Sequence, residues 1–352
     1  MPTPTTHGPS QAHAKARQEI AAKAETLRGI FATMQTRLQA IIDSPKAKAG
    51  DVMVAKSLLA EARQITGTAQ DKARRWVSEN LTNAAKLGVK TADLATESGG
   101  VEPVDNLTMI NEKAVKKAIK DTFSDIAGQT EQITERMTDV LRSKAAQVVR
   151  QAVARGAHPS TSSRELLDAL VAEGFTPQSA FDQLKKSMKD LSPKDRGEAL
   201  RDLVDSGKIT AFVDRAGRVW EPADYVQMVA KTKQAILYNT ANTARLKQNG
   251  LTLAQFTKTK AHVDPLCGPF QGLIVALTKE AAGRLGLAVL SDCLGGGPPF
   301  HPNCQHATIG RVEALVSDAQ LEAAREQTTR IRPLLGIDDP REFRLKAIDL
   351  GF

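Results

Sequence analysis

The chain has 352 residues, 41% of them hydrophobic but only 4% aromatic, and a net charge of +8. That length implies two or three domains of roughly 150 residues each, and the scarcity of aromatics favours long Ala/Leu helices over a sheet-rich globule. No apolar run approaches the ~18 residues of a membrane span, and the Met1–His7 start has no apolar signal core.

The three cysteines all fall between positions 267 and 304. An odd, clustered set of this kind is no disulfide framework and reads as reduced thiols or metal ligands, so we expect a soluble protein made in a reducing cytoplasm. Residues 1–155 hold 23 Lys and Arg against 17 Asp and Glu, and the remainder 25 against 23. The basic excess therefore lies along the N-terminal half, where it suits contact with nucleic acid or an acidic protein surface, although solvated helix faces look the same.

Residues 1–10 are rich in Pro, Thr and Ser and are expected to be disordered. Ile20, Ala24, Leu27, Phe31, Met34, Leu38 and Ile41 then recur at spacings of four and three, which predicts a long helix over 11–43 with a seam for a partner helix. A second helix is expected from Asp51 to Leu87, with Leu58, Ala62, Ile65, Ala69 and Trp76 on one face. The two should form an antiparallel pair through the short Lys46–Gly50 connection. Residues 88–106, with Gly99-Gly100 and Pro103, read as a linker. A third long helix follows over 107–155, buried along Val115, Ile119, Phe123, Ile126, Ile133, Met137, Val140 and Val148.

Three short amphipathic helices are expected over 160–205. The texture then changes. β-Branched and aromatic residues bracket an Asp214–Gly217 turn, which predicts a hairpin over 209–220. Glu221-Pro222 opens a helix that Asn249-Gly250 ends. Strands are expected near 253–259 and at 273–277, with Thr278 capping a short helix to Leu285. Ser317 and Gln320 form a capping-box pattern for a last helix to about Thr329, and the tail after Pro333 is charged and weakly patterned. The fold class is mainly α, with a small α+β C-terminal domain.

The densest chemistry is His301-Pro302-Asn303-Cys304-Gln305-His306, directly after the Gly295–Phe300 glycine/proline loop. Zinc(II) favours four tetrahedral Cys and His ligands. His301, Cys304 and His306 lie close in sequence, and Cys267 can complete a Cys2His2 set that clips two loops flanking the 273–277 strand. Asp264, His262 and Cys293 compete for the fourth place. A proline-ordered loop whose histidines bond local backbone reads equally well. A Cys304 nucleophile with His301 or His306 needs an orienting acid and an oxyanion hole, neither of which the sequence reveals. No Walker loop, dinucleotide fingerprint or HExxH is present.

Four blocks over 207–311 resemble the phage minor capsid protein 2 family, and more distantly the Mu F-like head morphogenesis proteins. Ile209–Trp220 resembles the family's "GI-x-x-F-x-D-x-x-GR-x-W" hairpin, and Tyr225–Thr232 its "Y-x-x-M-V-x-R-T" helix, with Lys231 for the usual arginine. Cys267–Gly272 and His301–His306 resemble its "C-x-x-C-x-x-W-x-G" and "HPNCRH" motifs. Here Asp264 stands for the first cysteine, Phe270 for the tryptophan and Gln305 for the arginine.

The resemblance implies a non-enzymatic virion component near the portal vertex that assists head assembly and DNA packaging or delivery. Its partners would be portal and capsid proteins, with packaged DNA against the basic helices and no membrane. The alternatives are a nuclease or transferase-type enzyme using the Cys/His stretch, and a DNA-binding helical protein inside the capsid. The expected organisation is a disordered 1–10, a long antiparallel helical pair at 11–98, a helical region at 107–205, a minor-head α+β domain with the Cys/His stretch at 207–316 and a C-terminal helix and tail at 317–352.

Overall fold

In the computed structural model, the described residues are 7–44, 52–104, 112–154, 198, 212–213, 218–259 and 264–352. In chain order the long helices are α1 (His7–Asp43), α2 (Val52–Ser98) and α3 (Glu112–Ala154). They are followed by strands β1 (Phe212–Val213) and β2 (Val219–Trp220), and helix α4 (Pro222–Gln248). Then come β3 (Leu253–Phe256), β4 (Ile274–Ala276), α5 (Lys279–Leu285), β5 (Thr308–Arg311), α6 (Asp318–Ile331) and α7 (Pro340–Asp349). The mainly-α class with a small α+β C-terminal part is what the sequence predicts. The expected helices over 160–205, the 46–50 connection and the 214–217 turn lie outside the described residues.

Two units divide the chain. One comprises residues 25–76 and 123–227. Here the α1 seam is buried along Leu27, Phe31, Met34, Leu38 and Ile41, and the predicted α2 face along Leu58, Ala62, Ile65, Ala69 and Trp76. The Trp76 indole donates to the Thr26 hydroxyl at 3.0 Å. Residues 29–37 of α1 and 65–72 of α2 line a common groove. Number rises on one helix as it falls on the other, the antiparallel order expected.

The buried face of α3 mixes Ile126 and Ile133 with Thr130 and Thr138. Thr130, Thr134 and Thr138 each donate a hydroxyl to the carbonyl four residues back, which satisfies a buried polar group inside its own helix. A search for apolar residues alone overlooks such a face. β1 and β2 pair antiparallel, Phe212 with Trp220 and Val213 with Val219, as the predicted hairpin requires.

The other unit comprises residues 1–24, 77–122 and 228–352. Helix α2 runs through Gly88 to Ser98, correcting the linker expected from residue 88. Gly88 is a point of close approach: a Cβ there would lie 2.2 Å from the Tyr238 carbonyl oxygen of α4. Asn242 adds a side-chain bond to the Gly88 carbonyl at 3.1 Å. α2 and α4 run parallel, because Gly88 meets Tyr238 and Asn242 while Asp93 meets Arg245 further along both.

Each helix ends in a Schellman turn. Val101 N–H reaches the Thr96 carbonyl and Leu251 N–H the Leu246 carbonyl, with Gly100 and Gly250 left-handed at φ 74° and 78°. Two further corrections fall in this unit. α1 begins at His7, inside the stretch expected to lack structure, while residues 1–6 lie outside the described set. The C-terminal tail contains α7, with Asp339 as N-cap, Pro340 in the first turn, and Phe343 and Ala347 buried four apart.

The sheet order is β4-β3-β5, all antiparallel. β3 ends at Phe256, four residues rather than the seven expected, and β5 is a strand the sequence reading did not contain. Beneath the sheet lies a core of Phe256, Phe270, Phe300, Leu273 and Leu290 that also takes in Ile331, Leu334, Phe343 and Ala347. Helices α6 and α7 thus share the core of the α+β part. Thr278 caps α5 and Ser317–Gln320 forms a full capping box on α6, both as predicted.

Candidate functional site

Sheet register explains why the Cys and His residues meet. Phe256 at the end of β3 pairs with Thr308 at the start of β5, and Gln255 pairs with Ile274 at the start of β4. The loop before β4, carrying Cys267, and the loop before β5, carrying His301–His306, therefore emerge at one end of the sheet. Thr257 N–H donates to the Ala307 carbonyl at 2.9 Å, and Ala307 N–H to the Thr257 hydroxyl at 3.0 Å.

Both loops use the same local device, a proline turn that ends in cysteine. Cys267 N–H donates to the Asp264 carbonyl at 2.9 Å, and Cys304 N–H to the His301 carbonyl at 3.0 Å. In the second turn proline is at the second position and Asn303 at the third with φ 62°, as a type II turn asks. In the first, the Asp264 carboxylate accepts Leu266 N–H at 2.9 Å and pairs with Arg344 at 3.1 Å. Asp264 is thereby committed to its own turn and to α7.

All four predicted residues come together. His301 Nε2 lies 3.3 Å from Cys267 Sγ, and Cys304 Sγ lies 3.4 Å from His306 Nδ1. The Cys304 thiol also meets Cys267 and His301. Hydrogen bonds from Cys267, then from His301 and His306, hold Cys304 well below the usual thiol range. Cys267 is pushed up, first by its bond to Cys304 and then by burial. His301 is raised, chiefly by Cys304. Among the described residues, no group of three or more His, Cys, Asp or Glu is arranged to hold a metal ion as it stands. Cys293 stands apart in its bonding, its thiol directed to the Val289 carbonyl and pushed up to about 12 by burial. His262 lies outside the described residues.

Among the described residues, no carboxylate is hydrogen-bonded to either imidazole as one is to a catalytic histidine. His301 Nδ1 donates to the Pro302 carbonyl at 2.9 Å. His306 is 3% exposed, and among the described residues its Nε2 has no hydrogen-bond partner.

The N-terminal segment of α1 completes the surroundings, and the sequence reading did not anticipate it. Arg17 donates to the Gln305 side chain at 2.7 Å, and Ala16 and Ile20 pack with Tyr238 and Ala307. His13 and Tyr238 are joined by a hydrogen bond and set edge to face. Burial lowers the His13 pKa from 6.5 to about 4. Between those values the unfolded chain takes up a proton that the folded chain refuses, so stability is lost as pH falls from 6.5 to 4. The total comes to about 3 kcal/mol. Acid titration of the melting temperature should show this loss, and His13→Gln should flatten that part of the curve.

No curated protein and no solved structure matches the chain. Residues 192–332, about two fifths of the sequence, match the model of the family described as phage minor capsid protein 2. The match spans the β1–β2 hairpin, α4, the sheet with its Cys/His loops, and α6. Over those residues the chain is similar to the phage minor capsid protein 2 family.

Proposed function

We propose that the protein enters the procapsid beside the portal, in few copies, and assists head assembly and the packaging or delivery of DNA. The family match over residues 192–332 carries this reading. The implied role is structural, made through contacts with portal and capsid proteins. Long helices suit it, because the exposed sides of elements of 37 and 47 residues offer extended docking edges. Among the described residues no helix is long and apolar enough to cross a membrane.

Contact with packaged DNA has support of its own. Lys113, Lys116, Lys117 and Lys120 form an exposed stripe on the first turns of α3, at the i, i+3, i+4, i+7 spacing of one face. Lys117 is paired with Asp121 at 2.6 Å. Cations in the first turns oppose the helix dipole, so the stripe costs local stability that a phosphate backbone would offset. Such contact weakens with salt as counterions are released.

The test is a phage lacking the gene. Its heads should fill with DNA far less often, and the wild-type chain, recovered from purified heads by mass spectrometry, should restore filling. A chain with all four lysines changed to glutamate should enter heads yet restore filling poorly. Full heads without the chain would overturn the role. Normal filling by the lysine variant would overturn the DNA contact alone.

A further inference from the structure

We propose that Cys267, His301, Cys304 and His306 are the four ligands of a structural zinc(II) centre that ties the loop before β4 to the loop before β5. Zn–S bonds of ~2.3 Å and Zn–N bonds of ~2.0–2.1 Å at a tetrahedral angle set S···N edges of roughly 3.5 Å. The two S···N pairs here stand at 3.3 and 3.4 Å, and Cys304 meets the other three side chains. The described arrangement holds no ion as it stands. Closing it requires the two pairs to turn toward one point, with the chain reversal already made by the sheet.

Three further observations favour a cation over a cluster of mutual hydrogen bonds. First, the bond from His301 Nδ1–H to the Pro302 carbonyl fixes the tautomer that leaves the Nε2 lone pair facing Cys267, the outer-ring support that histidine ligands ordinarily receive. Second, among the described residues the buried His306 has only a thiol, Cys304, facing its Nδ1. Buried polar groups seldom remain so unless the partner is a water or an ion. Third, the charges suit the place. Two thiolates and two neutral imidazoles make a neutral set around a divalent ion, appropriate beside the Phe300 ring, whose centroid lies 6.0 Å from that of His306.

Asp264 is excluded as a ligand by its bonds to Leu266 and Arg344. The donor set is thus Cys2His2 with no open position, a structural rather than a catalytic coordination. The two proline turns supply the specificity, since each presents a cysteine at the end of a reversal whose backbone bond is already formed.

The test uses the full chain, purified under reducing conditions without metal-chelate chromatography. Elemental analysis should find one zinc per chain. Chelation should lower the melting temperature, and cobalt(II) added to the chelated protein should give the visible bands of a tetrahedral two-thiolate site. His306→Ala and Cys304→Ser should each abolish that spectrum, whereas Cys293→Ser should keep it. If the ligand variants fail to fold, the cobalt titration of the wild-type chain decides alone. Reduced protein that holds no zinc, takes up no cobalt and melts unchanged with chelator would overturn the proposal, as would loss of the spectrum in Cys293→Ser equal to that in Cys304→Ser.

Discussion

Phe270→Ala is expected to lower the unfolding free energy by about 3–5 kcal/mol, the range for a fully buried phenylalanine truncated to alanine. Phe270 is 0% exposed, and its ring stacks on Phe300 at 4.4 Å and on Phe343 at 5.6 Å, with Phe256 edge-on at 6.0 Å. Few neighbours can collapse into the space, because β3, the loop before β5 and α7 each fix one of those rings. The loss should be uneven. Phe343 and Ala347 are the buried residues of α7, so that helix loses its main anchor and its protease sensitivity should rise first. Urea denaturation and limited proteolysis measure both effects, and Phe270→Leu, which keeps most of the volume, should cost clearly less.

Asp93→Ala should cost about 3 kcal/mol, the lower end of the range for breaking a buried ion pair. The Arg245 side chain is 6% exposed and its Nε donates to Asp93 Oδ1 at 2.6 Å, while Asp93 is 25% exposed, which moderates the figure. A second Arg245 nitrogen donates to the Val104 carbonyl at 2.7 Å. Asn249 donates to Asp93 and Thr96 at 3.0 Å and accepts from Val104 N–H at 3.2 Å. Removing the carboxylate takes the ion-pair partner from the Arg245 guanidinium and one hydrogen bond from the Asn249 amide, at the paired ends of α2 and α4. Adding Arg245→Met to the alanine variant should recover part of the loss, because two apolar groups leave no buried charge behind. Independent, additive losses in that double-mutant cycle would mean that the pair contributes nothing.

The sequence disclosed most where one physical signal acted alone. The α1 seam, the hairpin, the Thr278 and Ser317 caps and the Asn249-Gly250 stop each follow from local chemistry, and each is found. The linker expected over 88–106 rested on Gly99-Gly100 and Pro103, whereas α2 runs on to Ser98 and the glycine within it, Gly88, is a point of contact with Tyr238. β5 was too short and contains Gly310, whose missing side chain accommodates Leu246 and Leu251. The signal for α7 was present in Asp339-Pro340 followed by Phe343 and Ala347, but a charged background obscured it. At the site, the four Cys and His residues were identifiable by type and spacing. Arg17 and His13 were not, since their partners Gln305 and Tyr238 lie 288 and 225 residues away in the chain.

Those same separations govern how the protein is made. At about 5–20 residues per second, a ribosome takes roughly 10–45 s to travel from His13 to Tyr238, and longer to reach Ala307. Throughout that interval Ala16 and Ile20 of the nascent α1 lack the surface that eventually buries them. An unfinished chain therefore leaves Ala16 and Ile20 open to chaperones and proteases. A fragment limited to residues 192–332 would carry the complementary defect, with Tyr238 and Ala307 uncovered. Expression of the intact chain is the condition for a well-behaved preparation of the family-matching region.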